Sequence, residues 1–145
     1  MKNFVLCFLV CVMSPLADAK PEINKSIFGG VAIKGYDPVA YFTEKQPVKG
    51  QKSHTYMWKN ANWRFASEAN LKLFKDAPEK YAPQYGGYCA YAVSQGTTAG
   101  IDPDQWTVLA GKLYLNVNRK INEKWSAKRD AYIKMADKNW PDVIQ

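Results

Sequence analysis

Cys89 sits in the stretch Tyr85-Gly86-Gly87-Tyr88-Cys89-Ala90-Tyr91, where paired glycines permit a ligand or another backbone to come close to the thiol. An ionised thiol there is a nucleophile, a redox centre or a soft-metal ligand, whereas a buried one is a small hydrophobe. The sequence is compatible with either use. His54 is the sole histidine. It could join Cys89 on a metal ion or act as a hydrogen-bonding group at a strand edge. Met57, two positions from Thr55 along the same stretch, could complete a copper(I) site of mixed sulfur and nitrogen ligands, or pack in the core. One Cys and one His still fall short of the four ligands of tetrahedral zinc. Asp37, in Gly35-Tyr36-Asp37-Pro38, could form an acid/base or ligand pocket with Tyr36 and the Cys89 loop, or cap a helical turn.

The elements that must position these groups come from a chain of 145 residues with 47% apolar and 23% charged side chains, the composition of one globular domain. Phe4 to Val12 is an unbroken apolar run after Met1-Lys2, and Ala17-Asp18-Ala19 follows as a small-x-small triplet. This pattern predicts a signal peptide over residues 1–19, cut after Ala19, and a periplasmic or secreted protein. The run breaks at Ser14-Pro15, too early for a membrane span, so no transmembrane segment is expected after cleavage. Cys7 and Cys11 would leave with the signal, making Cys89 the only thiol and excluding an internal disulfide. The formal net charge of +7 survives, because Lys2 and Asp18 cancel. In an exported protein that charge argues against nucleic acid and for an anionic envelope surface, ligand or protein partner.

Residues 20–34 read as a polar lead-in, flexible to Lys25, with a short extended segment over Ile27–Ile33. Asp37-Pro38 predicts a helical turn through Tyr41. Alternation over 54–58 and 63–66, around an Asn-containing tetrad at 59–62, predicts a β-hairpin. Ser67 is set to cap a helix that packs Leu71 and Phe74 inward and ends at Pro78, with a further turn over Pro78–Tyr81. Residues 85–91 read as a loop. A second hairpin joins 106–109 to 113–116 through Ala110-Gly111, and Asn118 caps a long amphipathic helix reaching Met135. Its stripe is Ile121, Trp125, Tyr132 and Met135, interrupted by Lys128, and its basic face reads as solvated. The fold class is α+β: a small single domain with two β-hairpins, a short central helix and a long C-terminal helix.

Within that order, Asp37-Pro38-Val39, Ser53-His54-Thr55-Tyr56, Trp63-Arg64-Phe65-Ala66-Ser67, Phe74 and Pro78-Glu79-Lys80-Tyr81 resemble the YHS domain, a small module found in metal-handling contexts. The resemblance divides the chain into the signal, the lead-in at 20–34, and a YHS-like domain with a C-terminal extension at 35–145. The Gly35-Tyr36-Asp37-Pro38-Val39-Ala40-Tyr41-Phe42 opening and the Cys89 loop are similar to an exported, predominantly bacterial subgroup. Metal-associated members carry cysteines where this chain has Ala40, Ala66 and Asn70. The usual thiolate site is therefore emptied, and only His54 could still coordinate.

These readings converge on a non-enzymatic, exported binding domain with a ligand pocket between the Asp37 turn and the loop of Gly86, Gly87, Tyr88 and Cys89. A small ligand or a soft metal, copper ahead of zinc, is the expected occupant. The alternatives are a thiol-dependent redox protein or enzyme using Cys89, and a metal-free interaction module acting on an envelope protein. Phosphate-binding glycine loops, a Ser-His-Asp signature and Cys-x-x-Cys are absent from the sequence.

Overall fold

Alternation along the first hairpin translates directly into structure. In the computed structural model, which describes residues 19–145, β1 (Gln51–Trp58) pairs antiparallel with β2 (Ala61–Phe65). The connecting turn is only Lys59-Asn60, both with positive φ, tighter than the four-residue tetrad expected from sequence. The side chains of β2 alternate fully: Ala61, Trp63 and Phe65 are buried. On β1 the half-buried residues are His54, Tyr56 and Trp58, following a register irregularity between Gln51 and Thr55.

Ser67 caps α2 (Glu68–Asp76) by accepting from the Asn70 N–H at 3.1 Å. The helix drives Phe74 into the aromatic face of the hairpin, with ring centroids 5.1 Å from both Trp63 and Phe65 and 5.6 Å from Trp58. Pro78 then opens α3 (Pro78–Tyr81), as expected from the Pro-Glu-Lys-Tyr run. Before the hairpin, α1 (Ala40–Thr43) is the single turn that follows Asp37-Pro38.

The stretch read as a loop is more ordered than that. Gln84–Gly87 forms a tight helical turn with positive φ at Tyr85, Gly86 and Gly87, and α4 (Ala90–Ser94) starts immediately after Cys89. Here a short helix replaces the loop suggested by two glycines, because Cys89 donates its backbone N–H to Ala99 while its carbonyl accepts from Val93. The second hairpin is as expected, β3 (Trp106–Leu109) against β4 (Lys112–Leu115) through Ala110-Gly111.

The C-terminal helix departs from expectation. It is two helices, α5 (Arg119–Ala127) and α6 (Arg129–Asn139), with Lys128 between them at φ −140°, ψ 37°. No Pro or Gly marks the break, so tertiary packing dictates it. Trp125 on α5 is fully buried against Tyr114 of β4, while α6 turns to lie along α4. Met135 consequently faces solvent, and Ala136 takes the buried place.

The lead-in is docked instead of loose. Lys20 N–H donates to the Ile144 carbonyl at 2.8 Å, Asn24 N–H to the Gly86 carbonyl at 2.8 Å, and Ile23 is buried. Ile27–Ile33 forms no strand. Its Val31 makes an isolated parallel bridge to Asn62, and Ile27 and Phe28 project from a turn. The apolar run over Phe4–Val12, Cys7, Cys11 and the expected signal peptide up to Asp18 lie outside the described residues. Among the described residues no helix is long and apolar enough to cross a membrane.

Candidate functional site

Asp37 is completely buried, and four donors converge on its carboxylate. Oδ1 accepts from the backbone N–H of Val39 at 2.8 Å and of Ala40 at 3.3 Å. Oδ2 accepts from the Ala66 N–H at 2.8 Å and from the Asn70 side-chain amide at 2.7 Å. Its own N–H donates to Val48. The cap expected at Asp-Pro is therefore present, but it also ties the end of β2 and the first turn of α2 to α1. Both carboxylate oxygens are thus engaged within the chain, each by two donors.

Three of those four partners are Ala40, Ala66 and Asn70, the positions where metal-associated YHS domains carry cysteines. The test of whether this chain fits a soft metal there is the donor chemistry. Two positions carry methyl groups, and the third presents an amide N–H that is already given to Asp37. These residues do not fit a thiolate-held ion. Where a cation could be clamped by anionic sulfur, this chain holds an anion clamped by N–H groups.

Cys89 is also buried, at 1% exposure. Its thiol donates to Asn116 Oδ1 at 3.4 Å, and that same oxygen accepts from the Tyr91 N–H at 3.1 Å. Burial pushes the thiol above its ordinary range, against nearby backbone N–H groups of Ala92, Val117 and Tyr91 that pull the other way. A protonated, enclosed thiol is a poor nucleophile. Asn116, fully buried, also donates its amide to Asn122 Oδ1 at 3.1 Å, so Cys89 belongs to a polar junction joining α4, β4 and α5. Sequence reasoning missed Asn116, since nothing in Leu115-Asn116-Val117-Asn118 distinguishes it from a strand-end turn residue.

His54 is half-buried on β1, a strand that packs on β2 and α2. Met57 on β1 is 56% exposed. Among the described residues no group of three or more His, Cys, Asp or Glu side chains gathers in a way that could hold a metal ion.

The glycines next to Cys89 serve close approach, but by the chain itself. A Cβ on Gly86 would sit 1.8 Å from the Glu22 carbonyl oxygen, and one on Gly87 would sit 2.7 Å from Ile33 Cγ2. Tyr88 donates its hydroxyl to the Pro21 carbonyl at 2.8 Å, and burial raises its phenol. Tyr36 is half-buried with Lys49 Nζ 5.1 Å from its ring centre. The cavity beside Gly86, about 400 Å³, is lined by Trp58, Glu79, Tyr85, Asp137 and Trp140 among others. Of the residues expected to form a pocket, Gly86 lines this cavity, whereas Tyr36, Asp37, Gly87, Tyr88 and Cys89 do not.

Residues 39–85 match the family model of the YHS domain. The match contains Ala40, His54, Ala66 and Asn70, and leaves Asp37, Cys89 and both C-terminal helices outside it. No curated protein and no solved structure matches the chain.

Proposed function

We propose that this chain, with its YHS domain, is an exported, non-enzymatic interaction module that keeps the scaffold of a metal-handling family without the metal. The observation that carries this reading is the Asp37 carboxylate, whose donors come from all three positions where the family's metal-associated members place cysteines. The mechanical task of a bound ion, holding α1, the end of β2 and α2 together, is done here by four hydrogen bonds. A thiol enzyme finds little support, because Cys89 is enclosed, protonated and engaged with Asn116.

The function then resides in the outer surface, where basic charge and exposed apolar side chains are available to an envelope partner. Anaerobic titration of the chain from Lys20 onward with copper(I), against a chromogenic chelator, tests the reading. Retention of copper by the chelator supports it. Uptake of about one ion per chain, abolished in Cys89→Ser, would establish instead a soft-metal site of mixed sulfur and nitrogen ligands around Cys89 and His54.

A further inference from the structure

Two consecutive large apolar side chains stand almost wholly in water: Ile27 is 95% exposed and Phe28 90%. Isolated exposed hydrophobics are ordinary, but an adjacent pair at the tip of a fixed turn is not. The turn is fixed at both ends. Ser26 Oγ donates to the Phe28 carbonyl at 2.6 Å and accepts from the Val31 N–H at 2.9 Å. Asn62 of β2 donates its side-chain amide to the Gly29 carbonyl and its backbone N–H to the Gly30 carbonyl, each at 2.8 Å. Gly29 and Gly30, with φ of 78° and 58°, supply the reversal. The pair is therefore held outward by hydrogen bonds to the body of the domain.

The surroundings of the tip are basic. Lys25 and Lys34 line one hollow of about 220 Å³ at its base, together with Ser26, Val31 and Ile101. No acidic residue occurs from Ile23 to Tyr36, and the chain carries +7. Lys25 Nζ bonds the Asn60 carbonyl, and among the described residues no carboxylate pairs with it. A convex two-residue wedge is too small for a stable protein interface, which takes roughly 800 Å² per partner. It suits the boundary of a bilayer, where a short apolar insertion and lysines at headgroup level act together.

We propose that the Ile27-Phe28 tip inserts into the interface of an anionic bilayer, with Lys25 and Lys34 against the headgroups. This rests on the reading of the chain as an exported interaction module and names its partner surface. Co-sedimentation with vesicles of phosphatidylcholine alone, or of phosphatidylcholine with phosphatidylglycerol, tests it. The chain from Lys20 onward binds the anionic vesicles, and the double change Ile27→Ser with Phe28→Ser weakens binding by roughly a hundredfold, the value of two side chains withdrawn from water. Lys34→Gln weakens it several-fold. Both variants keep the unaltered melting curve, since the three side chains are exposed.

A second readout uses the enclosure of Cys89. In Phe28→Cys of the chain from Lys20 onward, where Cys89 is the only other thiol, the new thiol takes an environment-sensitive fluorophore selectively, and anionic vesicles shift its emission to the blue. Binding unchanged by the double variant, or no binding to either vesicle, overturns the proposal and leaves the module reading to the copper titration. Self-association that the double variant abolishes also overturns it, by assigning the tip to a second copy.

Discussion

The side-chain amide of Asn70 donates to Asp37 Oδ2 at 2.7 Å, and neither residue is more than 8% exposed. One residue belongs to α2 and the other to the turn before α1, so this bond clasps two elements that are 33 positions apart in the chain. A buried carboxylate of this kind is costly to strand and strong when satisfied.

Removing the anion should therefore hurt more than removing any one donor. Asp37→Ala leaves the Asn70 amide and three backbone N–H groups facing a small void, and its expected cost is about 3–5 kcal/mol. Asn70→Ala removes one donor of four and should cost about 1–3 kcal/mol. Asn70→Asp should be worse than Asn70→Ala, because it sets a second carboxylate against the first. Urea denaturation ranks the three, and an Asp37→Ala variant as stable as the parent would show that the clasp is incidental.

Cys89 should behave as a packed small side chain. Iodoacetamide is expected to modify it only as fast as the chain unfolds, with a rate that rises with urea. Cys89→Ala should cost about 1 kcal/mol or a little more, since the thiol is a weak donor. Asn116→Ala should cost more, because it strands the Tyr91 N–H and breaks the link to Asn122. A double-mutant cycle should then show a coupling of only about 0.5 kcal/mol between the two. Fast alkylation of the folded chain would restore the thiol to chemistry.

Alkaline pH should unfold this protein. Burial raises the Cys89 thiol from 9.0 and the phenols of Tyr41, Tyr85, Tyr88 and Tyr114 from 10.0. Tyr85 is raised further by its hydrogen bond to Asp137, and Tyr41 by surrounding acidic groups. A raised acid holds its proton longer in the folded chain than in the unfolded one. Its stabilising contribution is complete below the ordinary value and is lost as pH climbs from there toward the raised one. The contribution of these five groups should accordingly be constant below about pH 9 and fall ever more steeply above 10. Tyrosinate absorbance should rise in two stages, the second coinciding with loss of the far-ultraviolet helix signal. A single reversible stage with the fold retained would contradict the burial of these rings.

Local chemistry made much of this legible. Alternation located the first hairpin and the Ala110-Gly111 turn the second, Ser67 and Asn118 marked two helix starts, and Pro78 opened α3. These signals depend on residues close in sequence. At Lys128 the sequence showed only an interruption of the apolar stripe, with no Pro or Gly to mark a break, and α6 there turns to pack along α4. The site was legible in its parts and not in its connections. Asp37 could be read as a cap, but its bonds to Ala66 and Asn70 cross from the first turn to the end of β2 and the start of α2. The glycines at 86 and 87 signalled close approach correctly, while the approaching group, Glu22, lay in a segment whose polar composition suggested no docking.

That last relationship separates two kinds of glycine. Gly86 and Gly111 both have positive φ, 60° and 74°, so Ala at either carries a conformational penalty of about 1 kcal/mol. Around Gly111 nothing lies within 4 Å, and Gly111→Ala should stop at that penalty. At Gly86 the new Cβ would meet the Glu22 carbonyl oxygen at 1.8 Å, a backbone atom that cannot rotate away. The N-terminal segment must lift, and the Asn24 N–H bond to the Gly86 carbonyl is lost with it. Gly86→Ala should therefore cost more than about 3 kcal/mol, or release the segment. Trypsin distinguishes these outcomes, because Lys20 and Lys25 flank the docked residues. Cleavage at Lys25 should be accelerated in Gly86→Ala well before global unfolding, and unchanged in Gly111→Ala. Equal protection in both variants would mean that the contact between Gly86 and Glu22 does not hold the segment down.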